Sequence, residues 1–172
     1  MHNSNLSDEI FGTIVQHTPL VSIDLIIRDR EGCVLVAYRM NEPAKGSYFV
    51  PGGRIRKGET IEAAFTRVLA TETGLTMGFA DASLIGVYQH IYSTNRFGHS
   101  GYGTHYVVLA YQISLKEKPA ITLDEQHSRS KWLTIHELKT APDVHPYVKA
   151  YFGGNAIEET GVSSLGSNSR DV

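Results

Sequence analysis

Gly53–Leu75 reads GRIRKGETIEAAFTRVLATETGL, and the spacing within this stretch decides the fold. Ile61, Ala64, Phe65, Val68 and Leu69 recur at i, i+3, i+4, i+7 and i+8, which predicts a helix with one buried face. Gly74 stands where a C-terminal cap belongs, because glycine readily takes the left-handed conformation that ends a helix. Glu62, Arg67 and Glu72 are expected off the buried face. Ahead of the helix, Pro51-Gly52-Gly53 predicts a tight approach loop whose glycines let backbone groups come close to a ligand. A loop, a helix and a carboxylate near the helix end can together hold one hard cation beside phosphate oxygens. Taken alone, Glu72 reads as a solvated helix glutamate.

The surrounding chain has 172 residues, 41% of them hydrophobic and 20% charged, which suits one compact domain over residues 1–152. A net charge of −2 leaves no broad basic surface, so nucleic acid is not expected as a partner. Cys33 is the one cysteine, which excludes an internal disulfide and fits a reducing cytoplasm. It reads as a small buried residue rather than a nucleophile. No stretch is long and apolar enough to span a membrane, and the N-terminus lacks a signal-peptide core. The expectation is a soluble, cytoplasmic protein with no membrane partner.

Alternation and turn residues predict mixed strands and helices. Ser7 to His17 reads as a helix capped by Ser7, with Ile10, Phe11 and Ile14 on one face. Leu20–Ile27, Val34–Arg39, Leu84–Tyr92, Thr104–Ser114 and Ser130–Leu133 read as strands, and Tyr48–Val50 as a short extended piece. A short helix is expected near Ile135–Leu138 and a last helical turn over Pro146–Phe152. From Gly153 to Val172, Gly, Asn, Ser and Thr dominate, which predicts a disordered tail. This order of elements suggests an α+β sandwich of helix, sheet and helix.

Gly53–Leu75 also resembles the Nudix hydrolase signature G-x5-E-x7-R-E-U-x-E-E-x-G-U, in which U is a bulky aliphatic residue. Gly53, Glu59, Arg67, Leu69, Glu72, Gly74 and Leu75 fall in register, whereas Val68 and Thr71 stand where that family carries glutamates. The resemblance implies the Nudix fold, a mixed β-sheet sandwiched between helices. From about Pro19 to Phe152 the chain is similar to one branch, the GDP-mannose mannosyl hydrolases. The likeness runs through TPLVSIDLI (Thr18–Ile26), PAKGSYFVPGGRI (Pro43–Ile55), VYQHIY (Val87–Tyr92), GTHYVVLAY (Gly103–Tyr111) and DEQHSRSKWLT (Asp124–Thr134). That branch shares the depleted box and uses one magnesium ion to cleave the sugar C1–oxygen bond. The missing glutamates make sense for such chemistry. Attack at a diphosphate phosphorus needs several carboxylate-held cations, whereas attack at an anomeric carbon needs help mainly for the departing diphosphate.

The resemblance assigns magnesium, for which manganese can substitute, to the Gly53 carbonyl, the Glu72 carboxylate and the Gln126 amide oxygen. It makes His127 the general base, a role imidazole can hold near neutral pH. Adjacent strand residues point to opposite faces, so Gln126 and His127 share a site only if their segment is a loop; alone, the pair reads as a surface turn. Arg39, Arg54 and Arg67 match arginines used around the diphosphate and active site, for which their planar forks are suited. Arg67 reads equally well as a structural partner of Glu59. Asp24, Arg39, His90 and Tyr106 match substrate-binding positions, although His90 and Tyr106 alone would read as interior strand residues. The implied partner is a GDP-sugar, and the implied assembly is a homodimer. Two rival readings stay open: a conventional pyrophosphatase cleaving a nucleoside diphosphate sugar at phosphorus, and a catalytically idle nucleotide-sugar binder.

Overall fold

In the computed structural model, which describes residues 6–119 and 127–153, strand β1 (Leu20–Arg28) forms the middle of a seven-stranded sheet. Every residue from Ser22 to Ile27 in it is buried, as expected for a strand covered on both faces. Around it lie α1 (Asp8–His17), β2 (Val34–Arg39), β3 (Tyr48–Phe49), β4 (Gly52–Arg54), α2 (Ile61–Thr73), β5 (Ser83–Tyr92), β6 (Thr104–Ser114), β7 (His127–Leu133), α3 (Ile135–Thr140) and α4 (Pro146–Ala150). The main path through the sheet is β3-β2-β1-β6-β5, with β4 pairing β1 and β7 pairing β2. Only β1 and β6 run parallel; the other named strand pairs are antiparallel. The chain therefore has the mixed-sheet α+β architecture that its element order suggested.

Side-chain alternation sorts the core into two faces. Ile23, Leu25 and Ile27 pack with Leu35, Tyr111 and Ile113 against Phe65, Val68 and Leu69 of α2. Ile26 packs on the other side with Val34, Val36 and Phe49 against Leu138 of α3 and Val148 of α4. Phe11 and Val15 dock α1 on Leu20. Each helix start has a side-chain cap: Ser7 for α1, Thr60 for α2, a Thr134–Glu137 capping box for α3 and His145 for α4. Gly74 ends α2 at φ 73°, its N–H donating to the Ala70 carbonyl.

Five local expectations need correction. Ile10 and Ile61 were placed on buried faces, yet both are exposed, because each lies at the solvent rim of its helix's first turn. Glu72 was placed off the buried face, yet it is only 7% exposed. Pro51-Gly52-Gly53 was read as a loop, but Gly52–Arg54 is strand β4, held opposite Asp24, Ile23 and Ser22 of β1. The two-glycine run hid the alternation that marks a strand. His127 was expected ahead of its strand, but it begins β7, its backbone opposite Arg39 beside a register shift. Gln126 and the tail from residue 154 onward lie outside the described residues.

The glycines of β4 are bare for two different reasons. A Cβ on Gly52 would lie 2.5 Å from Asp24 Oδ1 and 2.9 Å from the Ile23 carbonyl. A Cβ on Gly53 would meet Val68 Cγ2 of α2 at 3.1 Å. The first obstacle is fixed backbone and a held carboxylate, while the second is a methyl that can give by a few tenths of an ångström. Gly52→Ala should therefore destabilise the protein by about 2–3 kcal/mol through overpacking. Gly53→Ala should cost less than half as much. Urea unfolding of the two variants measures the contrast, and equal losses would show that β4 moves freely away from β1.

Candidate active site

Strand β1 pairs with β2 only at Arg28–Val34, after which β2 turns to β3 and β7 while β4 takes the edge of β1 from Ser22 to Asp24. Asp24 and Arg39 stand on the two sides of this divergence, close enough that the guanidinium acts on the carboxyl. Asp24 is 6% exposed, and its Oδ2 accepts the Tyr151 hydroxyl proton at 2.5 Å. Burial raises its pKa to about 6, even though the Tyr151 bond and Arg39 both pull it down. His90 Nε2 lies 3.3 Å from the same hydroxyl. With the hydroxyl proton given to Asp24, a neutral His90 protonated on Nε2 completes a chain from histidine to tyrosine to carboxylate. Burial, with the neighbouring His145, pushes the His90 pKa down to about 3, so the ring stays neutral.

Aromatic rings close around this chain. His90 stacks on Tyr147 at 4.2 Å between centroids, and Tyr92 meets Tyr147 edge-on at 5.3 Å. Tyr92 also packs near Tyr106 and His145, and Phe49 near His90 and His145. Burial raises the Tyr106 hydroxyl pKa, with Arg39 opposing. Asp24, Arg39, His90 and Tyr106 thus fall in one neighbourhood. Tyr92, His145, Tyr147 and Tyr151 belong to it as well, and sequence reading passed over all four. The i, i+4 spacing of Tyr147 and Tyr151, beside His145, was the available signal: a short helix with polar aromatics on one side.

On the α2 side, Arg67 grips Glu59 with two bonds, Nε to Oε1 at 2.7 Å and Nη2 to Oε2 at 2.9 Å, while Nη2 also donates to the Arg54 carbonyl. Glu59 Oε2 in turn accepts the Arg56 N–H. This clamp fixes the loop between β4 and α2, the structural partnership anticipated for Arg67. Arg54 lies over the Phe11 ring at 4.5 Å, and burial with the nearby Arg56 and Arg67 lowers its pKa. Gly53 touches α2 through Val68, and Glu72 follows Val68 by four residues on that helix. A backbone carbonyl from β4 and a buried carboxylate from α2 are oxygen donors of the kind a hard cation takes.

Asp29, Glu31 and Cys33 also bring possible ligand atoms within 4.8 Å of one another. Lys118 Nζ already sits 3.0 Å from both Asp29 Oδ2 and Glu31 Oε2. Burial pushes the Asp29 carboxyl up, but the Lys118 ammonium and the Cys33 N–H more than offset this and hold it below its usual range. The cluster lies just past the far end of β1, has both carboxylates paired with its own lysine, and is separate from the Asp24 neighbourhood. Cys33 is buried, as its apolar setting suggested.

The raised Asp24 pKa gives a pH signature. Since the folded value lies above the ordinary 3.8, the associated stability is present below about pH 4 and is lost as pH rises through about 6. Above that the ionised group costs about 2–3 kcal/mol. Asp24→Asn keeps an acceptor for Tyr151 and removes the charge, so it should raise the melting temperature at pH 8 and leave it nearly unchanged at pH 4. Calorimetry at both pH values checks this; a variant less stable at pH 8 would mean that Asp24 ionises without penalty.

Comparison with known proteins agrees with this architecture. The NUDIX domain family model matches residues 18–152. The low-salt glycan biosynthesis protein Agl8 of Haloferax volcanii is 37% identical over 149 residues, 86% of this chain and 89% of that protein. An ADP-ribose pyrophosphatase of Methanocaldococcus jannaschii is 41% identical over 70 residues, covering 41% of this chain and 40% of that one. Among solved structures, a MutT Nudix hydrolase from Burkholderia pseudomallei superposes with a TM-score of 0.64 at 23% identity, covering 78% of this chain and 96% of its own. The Nudix domain of Shewanella oneidensis NrtR, solved with ADP-ribose, gives a TM-score of 0.60 at 18% identity, covering 86% and 92%. The depleted glutamate box, the mixed sheet that carries it and these matches together place the chain in the Nudix hydrolase family.

Proposed function

We propose that the protein hydrolyses GDP-mannose, with GDP-glucose as a further candidate substrate, to GDP and free sugar by water attack at the anomeric carbon with inversion. The reading includes a cytoplasmic homodimer with one magnesium ion per subunit. The observation that carries it is Val68. Its methyl packs against Gly53 where the family's box has a glutamate, and it is itself buried, so one box carboxylate fewer stands beside that carbonyl. Thr71, at the other missing glutamate, is exposed. A donor set of this poverty suits a cation that only assists a leaving group. The likeness to a glycan biosynthesis protein supports a sugar-containing substrate.

In this reading Gly53, Glu72 and Gln126 would hold magnesium, which supplies charge neutralisation for the departing GDP. Arg39 and Arg54 bind the diphosphate with charge-assisted hydrogen bonds. Asp24, His90 and Tyr106 orient the sugar and its phosphate link, and neutral His90, whose one proton goes to the Tyr151 hydroxyl, offers its other ring nitrogen as an acceptor rather than a counter-charge. His127 takes the proton from the attacking water. GDP so neutralised leaves without a carboxylic acid to protonate it, unlike the leaving groups of most glycosidases.

A second reading, cleavage at phosphorus to give GMP and a sugar phosphate, is favoured by the likeness to the ADP-ribose pyrophosphatase. Hydrolysis in oxygen-18 water separates the two: label should appear in the sugar and not in GDP, and label in GMP or sugar phosphate would overturn the proposal. Glu72→Gln keeps shape and loses charge, so it should raise the magnesium requirement at least about tenfold with little change in unfolding midpoint. Magnesium titrations of activity provide the check; an unchanged requirement would remove Glu72 from the metal site.

A further inference from the structure

His145 is fixed by three constraints that together leave it one available group. Its backbone N–H donates to the Tyr48 carbonyl at 3.1 Å, and the Tyr48 N–H donates to the Asp143 carbonyl at 2.8 Å, so β3 holds it from both sides. Its Nδ1 accepts the Tyr147 N–H at 3.2 Å as the cap of α4. A ring nitrogen that accepts an amide proton carries none itself, so the neutral ring bears its proton on Nε2. Burial, with the nearby Arg39 guanidinium, lowers the ring's pKa and keeps it neutral. Among the described residues Nε2 makes no hydrogen bond. The ring packs 5.3 Å from Phe49, 5.6 Å from Tyr92 and 5.1 Å from Tyr147, between centroids.

We propose that His145 is a sugar-recognition residue, its Nε2–H donating to a hydroxyl of the glycosyl group while the surrounding aromatic faces meet the sugar's C–H surface. This rests on the nucleotide-sugar reading above. The chemistry of the neighbours selects a hydroxyl over a phosphate oxygen. Phosphate has Arg39 and Arg54 to answer its charge, whereas a neutral, orientation-locked donor among aromatic rings matches an uncharged, C–H-rich ligand. The cap bond that fixes the tautomer also fixes the ring plane, so the donor is set before substrate arrives.

Asparagine caps helices well but is too short to place a donor where Nε2 lies. The test therefore measures affinities of wild type and His145→Asn for GDP and for GDP-mannose in metal-free buffer, where turnover is stopped. GDP affinity should agree within about twofold, and GDP-mannose affinity should fall about tenfold, the value of one hydrogen bond to a neutral group. Equal losses for both ligands would make His145 a diphosphate contact, and no loss for either would make it a helix cap alone; both overturn the proposal. Ring nitrogen-15 shifts of the wild-type protein give a readout that does not depend on how the variant folds. The Nε2 signal should move with GDP-mannose and not with GDP, and identical responses would overturn the proposal. Because binding is measured, cleavage at phosphorus in the oxygen-18 experiment would remove the hydrolysis mechanism while leaving this contrast measurable.

Discussion

A carboxylate buried in the middle of the central strand constrains everything around it. Asp24 has water on neither face of β1, so its charge is met by the Tyr151 hydroxyl, its neighbour across the strand is a bare glycine, and Arg39 approaches from the diverging strand β2. An aliphatic residue at this position would be more favourable to stability. A group that raises the free energy of the folded state and is surrounded by hydrogen-bonding partners is better explained by ligand chemistry than by packing.

The alternation of β1 divides the labour of the site. Ile23 faces α2, and the glycine opposite it lets β4 approach Val68 of the helix that carries Glu72. Asp24 faces α3 and α4, and the glycine opposite it leaves room for the carboxylate. Two consecutive glycines on β4 thereby approach one face each. The α2 side and the polar-aromatic side are separated by one residue of backbone, close enough that Arg39 and Arg54 both act on the Tyr106 hydroxyl. The Arg67–Glu59 clamp keeps the connecting loop from relaxing that arrangement.

Much of this was legible in the sequence because the signals were periodic or punctuated. The apolar spacing of Ala64, Phe65, Val68 and Leu69 gave α2, Gly74 gave its end, and the alternation in β5 and β6 gave two long strands. What misled the reading lacked a side chain or a long-range partner. Gly52 and Gly53 present no alternation, so a strand looked like a loop. Ile10 and Ile61 are apolar at helix starts, where the first turn overhangs the core. Glu72 obeys helical spacing as a surface residue but lies under its neighbours. Asp24, His90 and Tyr106 were identified through resemblance, since their meeting is a property of the sheet register. Tyr151 and His145 come from a segment over a hundred residues away from β1, and no local pattern ties them to Asp24.

The Tyr147 hydroxyl donates to the Ile91 carbonyl and accepts the Ile91 N–H, so the same short helix that Tyr151 caps also occupies the edge of β5 at Ile91. Both jobs depend on residues synthesised late. Asp24 leaves the ribosome 127 residues before Tyr151, an interval on the order of ten seconds at usual rates of chain growth. Until Tyr147 and Tyr151 emerge, the Asp24 carboxyl and, once made, Ile91 of β5 lack these partners. The β5 edge at Ile91 and the Asp24 carboxyl thus await the same stretch of chain for their partners.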